Sequence, residues 1–139
     1  MFTEYEVITS VCNFLESHNC CINQQLNENE KGDDIIAVNQ TNQRIYIEAK
    51  GETSSKKGTN RYGKAFNSSQ ILTHISRALY RAISMREKYS SHVGIALPET
   101  KNHLLEIQNI NNTLQEIKIE VFWVKADGTV RVENYSELF

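Results

Sequence analysis

Three charged residues lie on two apolar segments that have the pattern of β-strands. Asp34 directly precedes the apolar run IIAV, and Glu48 and Lys50 lie at the end of the run RIYIEAK. Because side chains alternate along a strand, Glu48 and Lys50 project side by side from the same face. Asp34 begins the neighbouring strand, where its carboxylate can reach the same space as Glu48. The sequence therefore predicts a cluster of two carboxylates and one ammonium group at a strand end.

Such a cluster is suited to metal-assisted hydrolysis. Two converging carboxylates repel each other unless a cation joins them, and clusters of oxygen ligands suit Mg²⁺ or Mn²⁺. A lysine at the rim can position a water molecule and offset the charge that develops on a phosphate. Hydrolysis of a phosphodiester bond requires these groups. The structural alternative is an ion pair on an exposed strand, in which Lys50 simply neutralises Glu48.

The first predicted helix contributes a third acid. The segment TEYEVITSVCNFLESHN has apolar residues at helical spacing, with Thr3 as its cap and Glu6 as the partner in a capping box. At about 100° per residue, Glu4 falls in the middle of the apolar stripe, whereas Glu6 points to the polar side. A glutamate that faces the sheet is unexpected for packing and reasonable for a site. Stabilisation of the helix dipole is the alternative interpretation of Glu4.

These residues, together with the order of the predicted elements, resemble the PD-(D/E)XK nuclease superfamily. The pattern is Asp34 followed by EAKG at residues 48–51, with the helix of Glu4 before it and a helix that opens with Gln70 after it. In element order the resemblance extends from about Thr3 to Val124. The C-terminal half, with ALYRA, GIALPET and EVFWVKADGTV, is more loosely similar to small bacterial members such as excision-controlling factors of mobile elements.

The resemblance implies a catalytic set made of Asp34, Glu48, Lys50, Glu4 and Gln70. In this set the carboxylates of Asp34 and Glu48 and the main-chain carbonyl of Ala49 would be the metal ligands. Lys50 would orient or activate the attacking water. The segment KGDD at residues 31–34 lacks the proline that usually precedes the aspartate, so the adjacent Asp33 leaves the register open. Asp34 is preferred because it directly precedes the apolar run.

Positive charge is concentrated between Lys50 and Lys88. This segment has nine basic residues against two acidic ones, although the whole chain has a net charge of −2. A local excess of this kind can bind a polyanion. We predict contacts to a nucleic-acid backbone from Lys56, Lys57, Arg61, Lys64, Arg77 and Arg81. The alternative is that the segment is basic only for solubility; His74, on the same polar side of the helix, is interpreted as a solvated residue.

The predicted elements follow the order α-β-β-β-α-β-α-β-β, which indicates an α/β fold with helices on both sides of a mixed sheet. The resemblance implies the αβββαβ core of the restriction-endonuclease-like fold. The segment from Gly51 to Gly63 is predicted to be a loop, and HLLEIQNINNTLQEI a third helix. The long helix SSQILTHISRALYRAISMREKY has one predicted core stripe, which consists of Ile71, Leu72, Ile75, Ala78, Leu79, Ala82 and Ile83.

Length and composition favour a small cytoplasmic protein. The 139 residues, 40% of them hydrophobic, are expected to form a single domain over residues 1–139. No segment has the pattern of a membrane span or a signal peptide, so we expect a cytoplasmic location. Three cysteines, of which Cys20 and Cys21 are adjacent, argue against a disulfide framework. They are expected to be reduced and structural, since no second cluster completes a metal site with them.

These observations lead to the hypothesis of a Mg²⁺- or Mn²⁺-dependent endonuclease. DNA is the substrate by resemblance, and no residue distinguishes it from RNA. A homodimer is plausible because cutting both strands needs two active sites, and a protein partner could supply specificity. Two alternatives keep the same fold without the chemistry: a catalytically inactive nucleic-acid-binding module and a protein-interaction subunit.

Overall fold

The structure, a computed structural model, describes residues 1–27, 30–54 and 63–133 of the chain. In chain order the elements are helix α1 (Glu4–Ser17), strands β1 (Cys21–Gln25), β2 (Ile35–Val38) and β3 (Arg44–Ala49), helix α2 (Ser68–Tyr89), strand β4 (His92–Pro98), helices α3 (Lys101–Gln108) and α4 (Asn111–Glu116), and strands β5 (Ile119–Val124) and β6 (Val130–Glu133). The predicted order is confirmed, except that the third predicted helix is divided in two.

The six strands form one mixed sheet in the order β1-β2-β3-β4-β5-β6. Strands β3, β4 and β5 are parallel, and the other neighbouring pairs are antiparallel. All residues of β4 from Val93 to Pro98 are buried, as expected for a parallel strand covered on both faces. The predicted α/β class, with a mixed sheet flanked by helices, is confirmed. The carboxyl ends of the three parallel strands lie at the same end of the sheet, and Lys50 follows β3 at that end.

Helices cover both faces of the sheet, and each face has its own core. On one face the buried stripe of α1 packs with the inward residues of β3, namely Ile45, Ile47 and Ala49. On the other face α2 packs over β3 and β4, together with α3 and α4; Tyr46 belongs to this second core. The predicted alternation along β3 is therefore confirmed, and Glu48 lies on the side of the sheet that α2 covers.

The two long helices begin at capping boxes that the local sequence encodes. At α1 the Thr3 hydroxyl accepts a hydrogen bond from the Glu6 amide at 3.2 Å, and the Glu6 carboxylate accepts one from the Thr3 amide at 3.1 Å. At α2 the same exchange joins Asn67 and Gln70. Each box satisfies two amide groups that would otherwise lack partners at a helix start. The predicted cap of α1 and the predicted extent of α2 are both confirmed.

The core stripe predicted for α2 is partly wrong. The buried residues of this helix are Ile71, Ile75, Ala78, Ala82 and Met85. Leu72 and Ile83 were predicted in the stripe, but each is 50% exposed. The physical reason is that apolar residues extend around more than half of the helix, and the sheet covers only the side centred on Ala78 and Ala82. Periodicity alone does not say which part of such a wide apolar surface faces the core.

The third predicted helix is interrupted at Asn109 and Ile110. Helix α3 ends at Gln108, and Ile110 leaves helical geometry with φ −128° and ψ 6° before α4 begins. Asparagine is a poor helix former because its side chain competes for backbone hydrogen bonds. Asn109, Asn111 and Asn112 flank this break.

Cys12, Cys20 and Cys21 are all free thiols; the first two are buried and the third is exposed. Burial raises the pKa of the Cys12 thiol to about 12, so this group is inert at neutral pH. In the part of the chain that the structure describes, no helix combines the length and the apolar character required to cross a membrane.

Candidate active site

Asp33 and Asp34 have different environments in the structure. The sequence had left open which of the two is the candidate metal ligand. The Asp34 carboxylate is buried and accepts a hydrogen bond from the Ala49 amide at 2.9 Å. Asp33 instead accepts from the Arg81 guanidinium at 2.8 Å and from the Tyr89 hydroxyl at 3.2 Å. The structure therefore places Asp34 against the end of β3, whereas Asp33 connects β2 to α2.

Glu48 and Lys50 lie side by side, as their spacing predicted. The Lys50 Nζ is 3.7 Å from the Glu48 Oε2, and the two side chains are only 19% and 13% exposed. The ion pair between Lys50 and Glu48, which was the alternative to a metal site, is thus present. However, the other carboxylate oxygen of Glu48, Oε1, is buried without a hydrogen-bond partner among the described residues. Because an unsatisfied buried polar group costs about 1–3 kcal/mol, an ion pair alone does not account for this side chain.

The first turn of α1 brings Glu4 to the same place. Its carboxyl group lies within hydrogen-bonding reach of Asp34 and close to Lys50, although the residue as a whole is exposed. Asp34 is also close enough to Glu48 to accept a hydrogen bond from it when Glu48 is protonated, whereas two ionised carboxylates have no proton to share. Asp34 is therefore the central member of a group of three carboxyls, with Lys50 beside them.

Burial and the charge of Asp34 raise the pKa of Glu4 and of Glu48. Burial, followed by the charge of Asp34 and a hydrogen bond to it, raises the pKa of Glu48 to about 8. Burial and the charge of Asp34 also raise the pKa of Glu4, while Lys50 opposes both shifts. Carboxyls in such a group need a proton or a cation between them. The site therefore has the electrostatic character expected of a cation-binding site.

Gly51 allows α1 to approach this strand end. A Cβ atom at Gly51 would lie 2.5 Å from the Glu4 nitrogen and 2.6 Å from the Thr3 carbonyl carbon. The neighbouring Glu52 amide donates a hydrogen bond to the Phe2 carbonyl at 2.8 Å, which joins the two segments directly. Any larger residue at position 51 would displace the helix start, and Glu4 with it.

We expect Gly51→Ala to lower the stability of the protein. The added methyl group meets backbone atoms, which cannot rotate away, so the free energy of unfolding should fall by about 1–3 kcal/mol. Urea denaturation measures this loss. Gly128→Ala is the control: its φ of +85° is strained for alanine, but a Cβ there meets nothing within 4 Å. Wild-type stability in Gly51→Ala would show that the approach of α1 tolerates a side chain.

A cavity of about 270 Å³ opens at this edge of the sheet, lined by Glu4, Asp34, Lys50, Phe66, His74 and Arg77 among others. His74 is half-buried, and its ring packs edge-on against Phe66 with the ring centroids 4.6 Å apart. Burial, followed by the charges of Lys50 and Arg77, lowers the pKa of His74. Its interpretation as a solvated helix residue is therefore wrong. The sequence did contain a signal for the position of His74, because it lies one turn after Gln70 on the same polar side of the helix.

Gln70, which the resemblance places in the catalytic set, forms the capping box of α2. Its side-chain oxygen accepts the Asn67 amide at 2.9 Å, and its own amide donates to the Asn67 side chain at 2.9 Å. The two cavities that contain Glu48 and Lys50 are lined by other residues of α2. His74 and Arg77 are the side chains of α2 that line the cavity with Glu4, Asp34 and Lys50.

The predicted nucleic-acid contacts have varied positions. Arg77 lines both cavities beside the acids, whereas Arg81, predicted to contact a nucleic-acid backbone, already has an ion pair with Asp33. Lys64 is exposed, and its carbonyl accepts a hydrogen bond from the Thr53 hydroxyl at 2.8 Å. The three other predicted contacts, Lys56, Lys57 and Arg61, lie outside the described residues.

The donor set is compatible with a cation that retains most of its water ligands. Within residues 1–27, 30–54 and 63–133, no group of three or more His, Cys, Asp or Glu side chains has the geometry of a metal site. Mg²⁺, however, is commonly held by one or two carboxylates and several waters. Asp34 and Glu48 are two neighbouring carboxylates that could hold such an ion, and the buried Glu48 Oε1 accepts no hydrogen bond from the described residues. The N–H and C=O of a strand residue point to the same side, and the Ala49 N–H donates to Asp34, so the Ala49 carbonyl is expected on that side of the strand.

The groups on this edge of the sheet are acids, a lysine, an arginine and a neutral imidazole around one cavity. Comparisons with protein-family models, with curated proteins and with solved structures find no match. The chemistry of the site therefore follows from its own residues. Carboxylates can hold a cation, and Lys50 and Arg77 can attract an anionic group to it.

The metal-free protein should lose stability as the pH rises. The pKa of Glu48 is raised from its ordinary value of 4.5 to about 8, so folding favours the protonated form. Its contribution to stability is complete below about pH 4.5 and is lost as the pH rises through about 8. Glu48→Gln should flatten this dependence, which urea unfolding in the presence of EDTA would measure. Glu116→Gln, an exposed substitution on α4, is the matched control; an unchanged slope in Glu48→Gln would contradict the prediction.

Proposed function

We propose that the protein is a metal-dependent nuclease of the PD-(D/E)XK type, with the restriction-endonuclease-like fold. The observation that supports this most directly is the convergence of Glu4, Asp34 and Glu48 beside Lys50, whose Nζ is 3.7 Å from Glu48. The element order and the position of these residues at the end of β3 agree with the resemblance in the sequence. DNA is the proposed substrate, and cleavage within a strand the proposed mode.

Each side chain has a distinct task in this proposal. Asp34 and Glu48, with the Ala49 carbonyl, would hold one or two Mg²⁺ or Mn²⁺ ions. A bound divalent cation stabilises negative charge on the phosphate and increases the acidity of a bound water. Lys50 orients the attacking water and places its positive charge against the phosphate oxygens as the phosphorus–oxygen bond to the leaving strand breaks.

Other groups of the cavity position the substrate. Arg77 binds the phosphate next to the one that is cleaved, because its guanidinium lines the cavity and offers paired donors. Burial, followed by the charges of Lys50 and Arg77, lowers the pKa of His74, and its imidazole can accept a hydrogen bond from a water or donate one to a phosphate oxygen. Cutting both strands of a duplex requires two such sites, which a homodimer would provide.

Calorimetric titration of Mn²⁺ and Mg²⁺ tests the proposal, with a supercoiled plasmid incubated in parallel. The wild-type protein is compared with two variants, Glu48→Gln and Glu116→Gln, of which the second makes the same change at an exposed residue of α4. We expect metal binding and metal-dependent nicking in the wild type and in Glu116→Gln, and loss of both in Glu48→Gln. Binding of DNA without metal uptake or products would favour the inactive binding module instead.

A further inference from the structure

The outer surface of α2 has exposed apolar side chains next to the candidate site. Tyr80 is 77% exposed, and Leu72 and Ile83 are each 50% exposed. Tyr80 is the most exposed large hydrophobic residue in the described part of the chain. A solvent-exposed aromatic ring adds nothing to the core of this protein. Packing therefore does not explain why a tyrosine occupies position 80, beside the candidate site.

An open groove of about 650 Å³ connects this ring with the acids. Its lining includes the charged residues Glu48, Arg77 and Arg81 and the apolar residues Leu72 and Tyr80. Tyr80 lies three residues after Arg77, so the two side chains are neighbours on the helix surface. The groove volume falls within the range of small-molecule and nucleotide sites.

The composition of the groove matches one nucleotide. Arg77 supplies positive charge for a phosphate, and Tyr80 and Leu72 supply flat apolar surface for a base. A base can stack on a tyrosine ring only when its own face is free, and the bases inside a duplex are already stacked and paired. The occupant that fits the charge and the shape together is an unpaired nucleotide.

A second copy of the chain fits this surface less well. In a two-fold contact the same patch meets itself, so Arg77 of one copy would approach Arg77 of the other, whereas Arg81 is already paired with Asp33. Like charges brought together in this way oppose association. A strand of nucleic acid, in contrast, brings a phosphate to Arg77.

We infer that Tyr80 is a stacking platform for an unpaired base beside the cleaved phosphate, so that the substrate is single-stranded or locally unpaired nucleic acid. This inference rests on the proposed nuclease function and specifies its substrate class. Stacking alone does not distinguish DNA from RNA, so both are tested.

Fluorescence anisotropy in the presence of EDTA would measure binding of labelled strands by the full chain. The probes are a single-stranded DNA 20-mer, its RNA equivalent, the matching DNA duplex and a duplex with a four-nucleotide bulge. We expect the single strands and the bulge to bind at least about tenfold more tightly than the duplex, and Tyr80→Ala to weaken that binding by about 10- to 100-fold. Tyr80→Phe keeps the ring and should keep most of the affinity. Leu105→Ala, which removes a 49% exposed side chain on α3 outside the groove, is the matched control.

Three outcomes would overturn the inference. They are equal binding of duplex and single strand, unchanged binding in Tyr80→Ala, and a change from dimer to monomer in Tyr80→Ala by light scattering. The third would assign the surface to a second copy. Failure of the nuclease proposal is distinguishable, because it would appear as absence of metal uptake and of cleavage on every probe, whereas stacking is measured without metal.

Discussion

Lys50→Met is expected to lower the rate of phosphodiester cleavage by about 10²–10³-fold at saturating metal. Methionine keeps the length and the apolar contacts of the lysine stem but removes the charge beside Glu48. Because the charge acts on the phosphate as the bond breaks, the loss should appear in kcat more than in KM. Single-turnover cleavage of a labelled oligonucleotide separates the two.

Lys118→Met provides the matched control. This lysine is exposed and precedes β5, at the end of the sheet opposite to the one where Lys50 follows β3. Its activity should equal that of the wild type. Unchanged turnover in Lys50→Met, with only a change in stability, would mean that Lys50 serves as the partner of Glu48 in an ion pair. The structural alternative would then be correct.

Asp34→Asn should abolish metal binding and cleavage while making the metal-free protein more stable. The asparagine oxygen can still accept the Ala49 amide, so the geometry of the strand end is kept. The lost charge relieves Glu4 and Glu48, because Asp34 raises the pKa of both. Greater stability with lost activity is the combination expected when charges are held together for function. Calorimetric metal titration and urea denaturation at neutral pH would measure the two effects.

Asp33→Asn is the comparison that resolves the choice between the two aspartates. It weakens the contact to Arg81, whose side chain is 44% exposed, so the expected loss of stability is only about 1 kcal/mol. Metal binding should persist. The reverse pattern, with metal binding lost in Asp33→Asn and kept in Asp34→Asn, would show that the assignment of the acids is wrong.

Several features of the site were predictable because they depend on neighbours in the chain. Alternation along β3 places Glu48 and Lys50 on one face, and the capping box starts α1 so that Glu4 occupies its first turn. The limits of α2 follow from its cap and its apolar period. These features need no knowledge of the rest of the fold, since hydrogen bonds and side-chain directions within a segment determine them.

Other features depended on contacts between distant segments. The choice of Asp34 over Asp33 follows from the Ala49 amide on one side and from Arg81 and Tyr89 on the other. The sequence had assigned Arg81 to a nucleic-acid backbone, but its guanidinium binds Asp33. The capping position of Gln70 and the position of His74 in the cavity have a similar cause, because the rotation of α2 against the sheet decides which polar residues face the acids.

By itself, the sequence determined the α/β element order, the paired acids and lysine at a strand end, and the helix that presents Glu4. Only the tertiary structure decided which aspartate joins them, how closely Gly51 lets α1 approach, and which apolar residues of α2 remain exposed. The physical reason is that strand pattern and helix caps arise from interactions within a few residues. The rotation of a helix and the partner of a charge are set by packing between elements that the sequence separates.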